Sequence, residues 1–416
     1  MALGLQIFGG AVPSGQKNWL LRYGLGLSCL AFVVFFALLH AVAPHAYLFF
    51  TRIPDGAAKA HPFVDLRDIM RGGACWRQGV NVYAPSACLD GGVFNYSPLL
   101  LRAAWLPFGP QDAPVFGLLF CCAYAYALTR LPAPISRDAL FLLAAAAFSP
   151  AAYYALEQGN LDTLIFAATV LALRLPWRRR RWGYAIFALC AAAKFYPASL
   201  FALALREDRR SLKILIAIAV AAGLLGVALY GRDLLAAIRI IPSGTPFRAS
   251  FGRIDLPRGL VMLHFLPRGS AQLVSWALAL LALGLAAGRR HGWSRALATL
   301  GEDAAIFLIA GAAVTVFCFL AAQNIEYRAI FLLLTLPGLT RLAPLGPVFR
   351  LLPGVIILLL WESVPRALLR PRPTLSAGRT RLLLLAAARG AVVGADRRIP
   401  RPRSRLRDGR NHAFAR

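Results

Sequence analysis

Residues 214–230 read ILIAIAVAAGLLGVALY, a run without a charged or amide side chain. A helix needs about 20 predominantly apolar residues to cross the hydrocarbon core of a bilayer. A water-facing helix would keep a polar face, and this run has none. Comparable runs recur along the chain, separated by short arginine-bearing segments. Hydrophobic residues make up 59% of the 416 and charged residues 15%, too little charge for a soluble chain of this length. The sequence therefore specifies an all-α polytopic membrane protein. A net charge of +28 would suggest nucleic acid in a soluble protein. Here the arginines lie between apolar runs, where they set topology and meet anionic lipid. Membrane lipid is the expected partner and nucleic acid is not.

The first span is read at 20–43, with Lys17 and Arg22 at its start placing the N-terminus in the cytoplasm and 50–96 in an outer loop. No cleavage site is evident, so this span is expected to stay in the mature protein. Segment 97–108 is short, holds Arg102 and reads as interfacial or re-entrant. Spans follow at 113–128, 139–156 and 160–175, the last returning to PWRRRR (176–181). Segment 182–210 is arginine-rich on both flanks, which a single pass cannot place on one side. Two short helices meeting near KFYP (194–197) can. Further spans are expected at 212–230, 273–288, 304–320, 329–342 and, shorter, 353–361, with a second outer loop over 231–272. Residues 1–365 thus read as one transmembrane domain of roughly 9–11 helices whose first outer loop carries short helices. The arginine-rich tail, 366–416, is expected to be disordered or loosely membrane-associated and without function.

Five of the seven cysteines lie in apolar runs, while Cys75 and Cys88 share the outer loop, as a disulfide or as two thiols. No CxxC pair and no His/Cys cluster at metal spacing occurs, so neither a metal nor a cofactor is expected. Acids are scarce, 18 against 46 Lys and Arg, yet polar residues converge on the outer face. Asp65 and Asp68 stand in the first loop, and Glu157, Gln158, Asn160 and Asp162 between two spans. Lys194 sits at the hairpin tip, and Asn324, Glu326 and Arg328 precede a late span. Ionisable groups at the membrane boundary are costly and usually paired or functional. A carboxylate there can act as general base, and the cations can hold a phosphate. That combination suits a lipid phosphate held in the membrane and a polar acceptor arriving from outside.

The stretch from Asp65 to Pro98 resembles the first-loop signature of glycosyltransferase family 87, in the GT-C superfamily of polyprenol-dependent membrane glycosyltransferases. An aspartate opens a helix, Gly-x-x-x-Tyr follows at Gly79 to Tyr83, and an aromatic-Tyr-x-Pro element follows at Phe94, Tyr96 and Pro98. QGNLD (158–162) is similar to the family's Gly-Gln-x-Asn element with Gln and Gly exchanged. AAAKFYP (191–197) resembles its Lys-x-x-Pro element at Lys194 and Pro197. The resemblance extends over roughly 15–345. It implies a GT-C-type bundle and inverting transfer of a hexose, mannose-like, from a polyprenyl-phosphate donor to a hydroxyl of a glycan or glycolipid acceptor. The active site would face the periplasm from a bacterial inner membrane. Asp65 would be the catalytic base, and Lys194 with an arginine would hold the leaving phosphate. Where some members carry Ser-Pro…Trp…His, this chain has QNIEYR (323–328), so no histidine role carries over.

Each candidate also has a plainer role. Asp65 can cap the helix that follows it, and Asp68 can pair with Arg71 or Arg67. Lys194 can snorkel to headgroups. Gln158 and Asn160 either line the site or cap the next span, and Arg328 meets phosphate or pairs with Glu326. Two other functions fit the composition. A secondary transporter would show corresponding broken helices in repeated halves, whereas the sequence shows one break, at KFYP. An oligosaccharide ligase or polymerase would rely on the late loop, with Arg248, Arg253 and His264, and would not need Asp65.

Overall fold

The computed structural model describes residues 18–55, 61–102, 107–176, 180–240, 246, 250–321 and 323–368. The chain divides into Met1–Ala367 and Leu368–Arg416. The tail from 369 onward, and Arg248 and Lys17, lie outside the described residues.

Helices account for nearly all of the first unit. They are α1 (Asn18–Val42), α2 (Pro44–Asp55), α3 (Val64–Arg77), α4 (Pro98–Arg102), α5 (Ala113–Thr129), α6 (Arg137–Ala147), α7 (Pro150–Glu157), α8 (Leu161–Leu173) and α9 (Arg180–Ala193). They continue as α10 (Arg209–Arg239), α11 (Asp255–Met262), α12 (Arg268–Gly288), α13 (Arg290–Ala298), α14 (Glu302–Ala321), α15 (Leu336–Leu342), α16 (Pro347–Leu360) and α17 (Ser363–Leu368). Tyr196–Arg206 and Glu326–Leu334 are tighter 3-10 segments. Two short strands, β1 (Ser250–Phe251) and β2 (Asn324–Ile325), pair antiparallel.

Among the described residues, six helices are long and apolar enough to cross a membrane, and eight spans result if each of two bent pairs is one. The bends are 43° between α6 and α7 and 52° between the 326–334 segment and the helix after it. The higher count read from the sequence takes two further elements as crossings: the short apolar α8, and the 180–206 hairpin, where α9 ends and a 3-10 segment begins around Lys194. Loop 231–272 is shorter than expected, because α10 keeps its helical pattern to Arg239 and α12 starts at Arg268. The span expected at 353–361 begins earlier, at Pro347, with Pro353 inside the helix.

The core that carries the site is aromatic. Tyr124 on α5, Phe166 on α8 and Phe331 are fully buried and follow one another at centroid distances of 5.3 and 6.0 Å. Tyr196 continues the ladder, 5.5 Å from Phe331. The segment carrying Phe331 packs close to α14 at Gly311, where a Cβ would lie 2.9 Å from the Phe331 carbonyl oxygen. By contrast no residue in the apolar window of α10 is fully buried, and most of its leucines and isoleucines, Ile214, Ile216, Ile218, Leu224, Leu225 and Leu229 among them, are exposed as a lipid-facing helix requires.

The first loop is folded. Cys75 and Cys88 form a disulfide with Cα atoms 6.0 Å apart, and Val82, Phe94 and Leu101 pack around Cys75 in a small second core. The Arg102 guanidinium lies over Trp76 at 4.9 Å and over Tyr230 of α10 at 5.5 Å. It also pairs with Asp233 at 3.7 Å, so the loop is clamped to α10. The disulfide closes a segment with a sequence separation of 13. Chain-entropy arguments give such a closure about 2–4 kcal/mol. Cys88→Ser is therefore expected to lower the temperature of thermal inactivation in detergent, and the same protein treated with reductant should match the variant. An unchanged inactivation temperature in both would contradict this role.

Candidate active site

The sequence QGNLD folds as a tight passage from α7 into α8. Gln158 ends α7, Gly159 takes a left-handed φ of +60°, and Asn160 caps α8 with its Oδ1 on the Asp162 N–H at 2.9 Å. A side chain at 159 would be strained, and its Cβ would lie 3.0 Å from Phe63. This closeness matters because α3 starts against the same turn. The Phe63 N–H donates to the Glu157 carbonyl at 2.6 Å, and the Asp65 N–H to the Gln158 carbonyl at 3.0 Å. Phe63, itself left-handed at φ +61°, is the N-cap of α3 and gives no side-chain cap. Asp65 thus sits within the first turn and is not the capping residue.

Asn160 joins the two halves of the site. Its Nδ2 donates to Asp65 Oδ2, and its Oδ1 accepts from Lys194 Nζ at 2.8 Å. Asp162, with no exposed surface, is the hub behind it. Lys194 Nζ reaches Asp162 Oδ1 at 2.6 Å, Tyr196 Oη donates to the same oxygen at 2.9 Å, and Arg328 Nε reaches Oδ2 at 3.3 Å. Arg328 also donates to Asn324 Oδ1. Tyrosines enclose the cations: Lys194 lies 5.9 Å from the Tyr96 ring and 5.7 Å from Tyr327, and Arg328 lies 4.5 Å from Tyr196. One charge of the Lys194–Arg328 pair is balanced by Asp162. Asp65 and Asp68 stand on the same cavity wall as the two cations.

That cavity has a volume of about 410 Å³ and is lined by Asp65, Asp68, Lys194, Tyr96, Tyr327 and Arg328, among others. The size suits a small-molecule site. Ser97 Oγ ties the rim to α9 by donating to the Ala192 carbonyl at 2.6 Å.

Of the residues singled out from sequence, Asp65, Asp68, Lys194 and Arg328 line the cavity and Asn160 connects them from behind. Gln158 and Glu326 do not line it. Gln158 is buried and donates to Glu157, which also accepts from Tyr47 at 3.0 Å. Glu326 is buried beside Arg366 at 2.9 Å. The reading that Glu326 pairs with Arg328 is corrected: Arg328 turns inward to Asp162, and Glu326 turns away to α17. Arg71 pairs with Asp90. His264 is exposed and stands off the cavity. Asp162 and Asn324, read from sequence only as part of the converging polar set, complete the cluster with Tyr196, which the sequence reading does not name. The signal was present, since two cations at membrane depth require a buried counter-charge.

A comparison with family models bears on this cavity. Residues 96–298 match glycosyltransferase family 87. The matched segment holds Asn160, Asp162, Lys194 and Tyr196, while Asp65, Asp68 and Arg328 lie outside it and reach it through the contacts above. No curated protein and no solved structure matches the chain. The family match and the apolar helices support a membrane glycosyltransferase, and the cavity is the candidate active site.

Proposed function

We propose that this glycosyltransferase moves a hexose, mannose-like, from a polyprenyl-phosphate donor to a hydroxyl of a glycan or glycolipid at the outer face of a bacterial inner membrane. The observation that carries the reading is the Asn160 bridge. It holds a cavity-lining carboxylate, Asp65, beside the two cations Lys194 and Arg328 that share Asp162. In the reaction the acceptor oxygen forms a bond to the anomeric carbon as the bond from that carbon to the phosphate oxygen breaks. Asp65 takes the hydroxyl proton, which a neutral hydroxyl must lose to attack well. The electron pair leaves on the lipid phosphate, and Lys194 and Arg328 stabilise it. Attack from the side opposite the phosphate inverts the anomeric centre. Asp68 lines the same cavity beside the base, and residues 1–365 carry the reaction in a GT-C-type bundle.

The two bent spans are also a feature of secondary transporters. The family match favours transfer over transport, because it names a reaction that the acid and cations of the cavity can perform. Incubating the purified protein with labelled polyprenyl-phosphate mannose tests the reading. Release of polyprenyl phosphate together with labelled glycoside is expected, and intact donor recovered after every acceptor has been offered would contradict it.

A further inference from the structure

One stretch of the cavity wall is held from behind. Gln323, Asn324, Ile325, Tyr327 and Arg328 line the cavity, and Glu326, in their midst, does not. The first half of this stretch is anchored by the pairing of β2 with β1 and by Asn324 Nδ2, which donates to the Cys318 carbonyl at 2.5 Å. The second half, with Arg328, belongs to the 3-10 segment that opens at Glu326. Glu326 is buried, and its Oε2 accepts from Arg366 Nη2 of α17 at 2.9 Å. Arg366 also lies 3.4 Å from Glu362, one turn earlier. Just before Glu362, Trp361 donates from Nε1 to the Ala145 carbonyl of α6 at 2.8 Å. The Arg366 guanidinium therefore comes from an element tied to α6 and not to the cavity.

We propose that Arg366 is a positioning residue for the donor phosphate: by neutralising Glu326 behind the wall, it leaves Arg328 free to serve the cavity. The proposal rests on the donor reading above. A buried carboxylate in a membrane protein requires a counter-charge. The next cation along the chain from Glu326 is Arg328, two residues on, and it is the partner that sequence proximity favours. Arg328 instead reaches Asp162 Oδ2 at 3.3 Å and lines the cavity, because Arg366 already holds the Glu326 carboxylate. Without the Arg366 charge, Glu326 competes with Asp162 and the phosphate for the same guanidinium. Arg366 does not line the cavity, so it acts through Glu326 and not on substrate.

Binding of the reaction product, polyprenyl phosphate, to the full-length protein in nanodiscs reads the phosphate wall without turnover. Arg366→Gln keeps a hydrogen-bond donor for Glu326 and removes the charge. Its Kd should rise about tenfold, the worth of one charge-assisted bond to the phosphate. Glu326→Gln combined with Arg366→Gln should return the Kd to the wild-type value, because no carboxylate then draws Arg328 away. Arg366→Lys, which keeps the charge, should also bind as the wild type does. Simple bracing by the ion pair predicts the reverse, a double variant no better than Arg366→Gln alone. That result, or an unchanged Kd in Arg366→Gln, would overturn the proposal and leave the donor reading standing. If Arg366→Gln fails to fold, the double variant decides: a wild-type Kd supports the positioning role and a weakened one overturns it. A wild type that binds no polyprenyl phosphate would overturn the donor reading itself, and the proposal with it.

Discussion

Asp65→Asn is expected to reduce transfer by roughly a hundred- to ten-thousandfold, the usual contribution of a positioned general base. The loss should occur without unfolding. The Asp65 N–H bond to the Gln158 carbonyl is independent of the side chain, and an asparagine oxygen can still accept from Asn160. The group is half-buried on the cavity wall, so its change of charge should alter stability by no more than about 1 kcal/mol. Asp68→Asn supplies the control, being an exposed neighbour on the same helix and lining the same cavity. Turnover by both variants, normalised to folded protein from size-exclusion chromatography, checks the assignment. Near-normal turnover by Asp65→Asn would remove it from the chemistry.

Asp162→Asn should behave differently, losing both fold and activity. Asp162 has no exposed surface and faces Lys194, Arg328 and Tyr196 at once. Without its charge, two cations remain buried side by side with no counter-ion in contact. Removing one member of a buried ion pair typically costs about 3–5 kcal/mol. A large drop in unfolding temperature in detergent is the expected reading. Removing a cation as well should relieve part of the loss, so Asp162→Asn with Lys194→Met should be more stable than Asp162→Asn alone, because the two residues are in direct contact. Equal unfolding temperatures for Asp162→Asn and the wild type would show that the cluster does not hold this part of the fold. The contrast between the two aspartates is diagnostic: one is expected to lose activity alone, the other activity with stability.

How far the sequence reaches can be judged element by element. The long apolar runs that became α1, α5, α10, α12 and α14 are legible, because apolar length is a property of the chain alone. The break at KFYP is legible from charge, since arginines on both flanks forbid a single crossing. The bends at Phe148–Ser149 and at Thr335 are marked only locally, by Ser149-Pro150 and by Pro337 just after Thr335, signals that a hydropathy reading over a whole span passes over. Helix α11 is missed for a similar reason: eight residues in an arginine-bearing loop carry no spanning signal. Within the site, the sequence marks which residues are expensive to place at the membrane boundary, and Asp65, Asp68, Asn160, Lys194 and Arg328 do converge. It does not reveal which way a side chain turns. Arg328 and Glu326 stand two residues apart in a 3-10 segment, and that spacing sends one to Asp162 and the other to Arg366. Arg366, which pairs with Glu326, stands one residue past the boundary read from composition.

The most direct test of the central claim is a choice of donor. Wild-type protein in sealed vesicles is offered the same labelled hexose either as a polyprenyl-phosphate sugar or as a nucleotide sugar, with acceptor glycoside present. The account predicts label on the glycoside from the lipid-phosphate donor alone, with the anomeric configuration inverted. Label from the nucleotide sugar alone, or from neither donor, would contradict it.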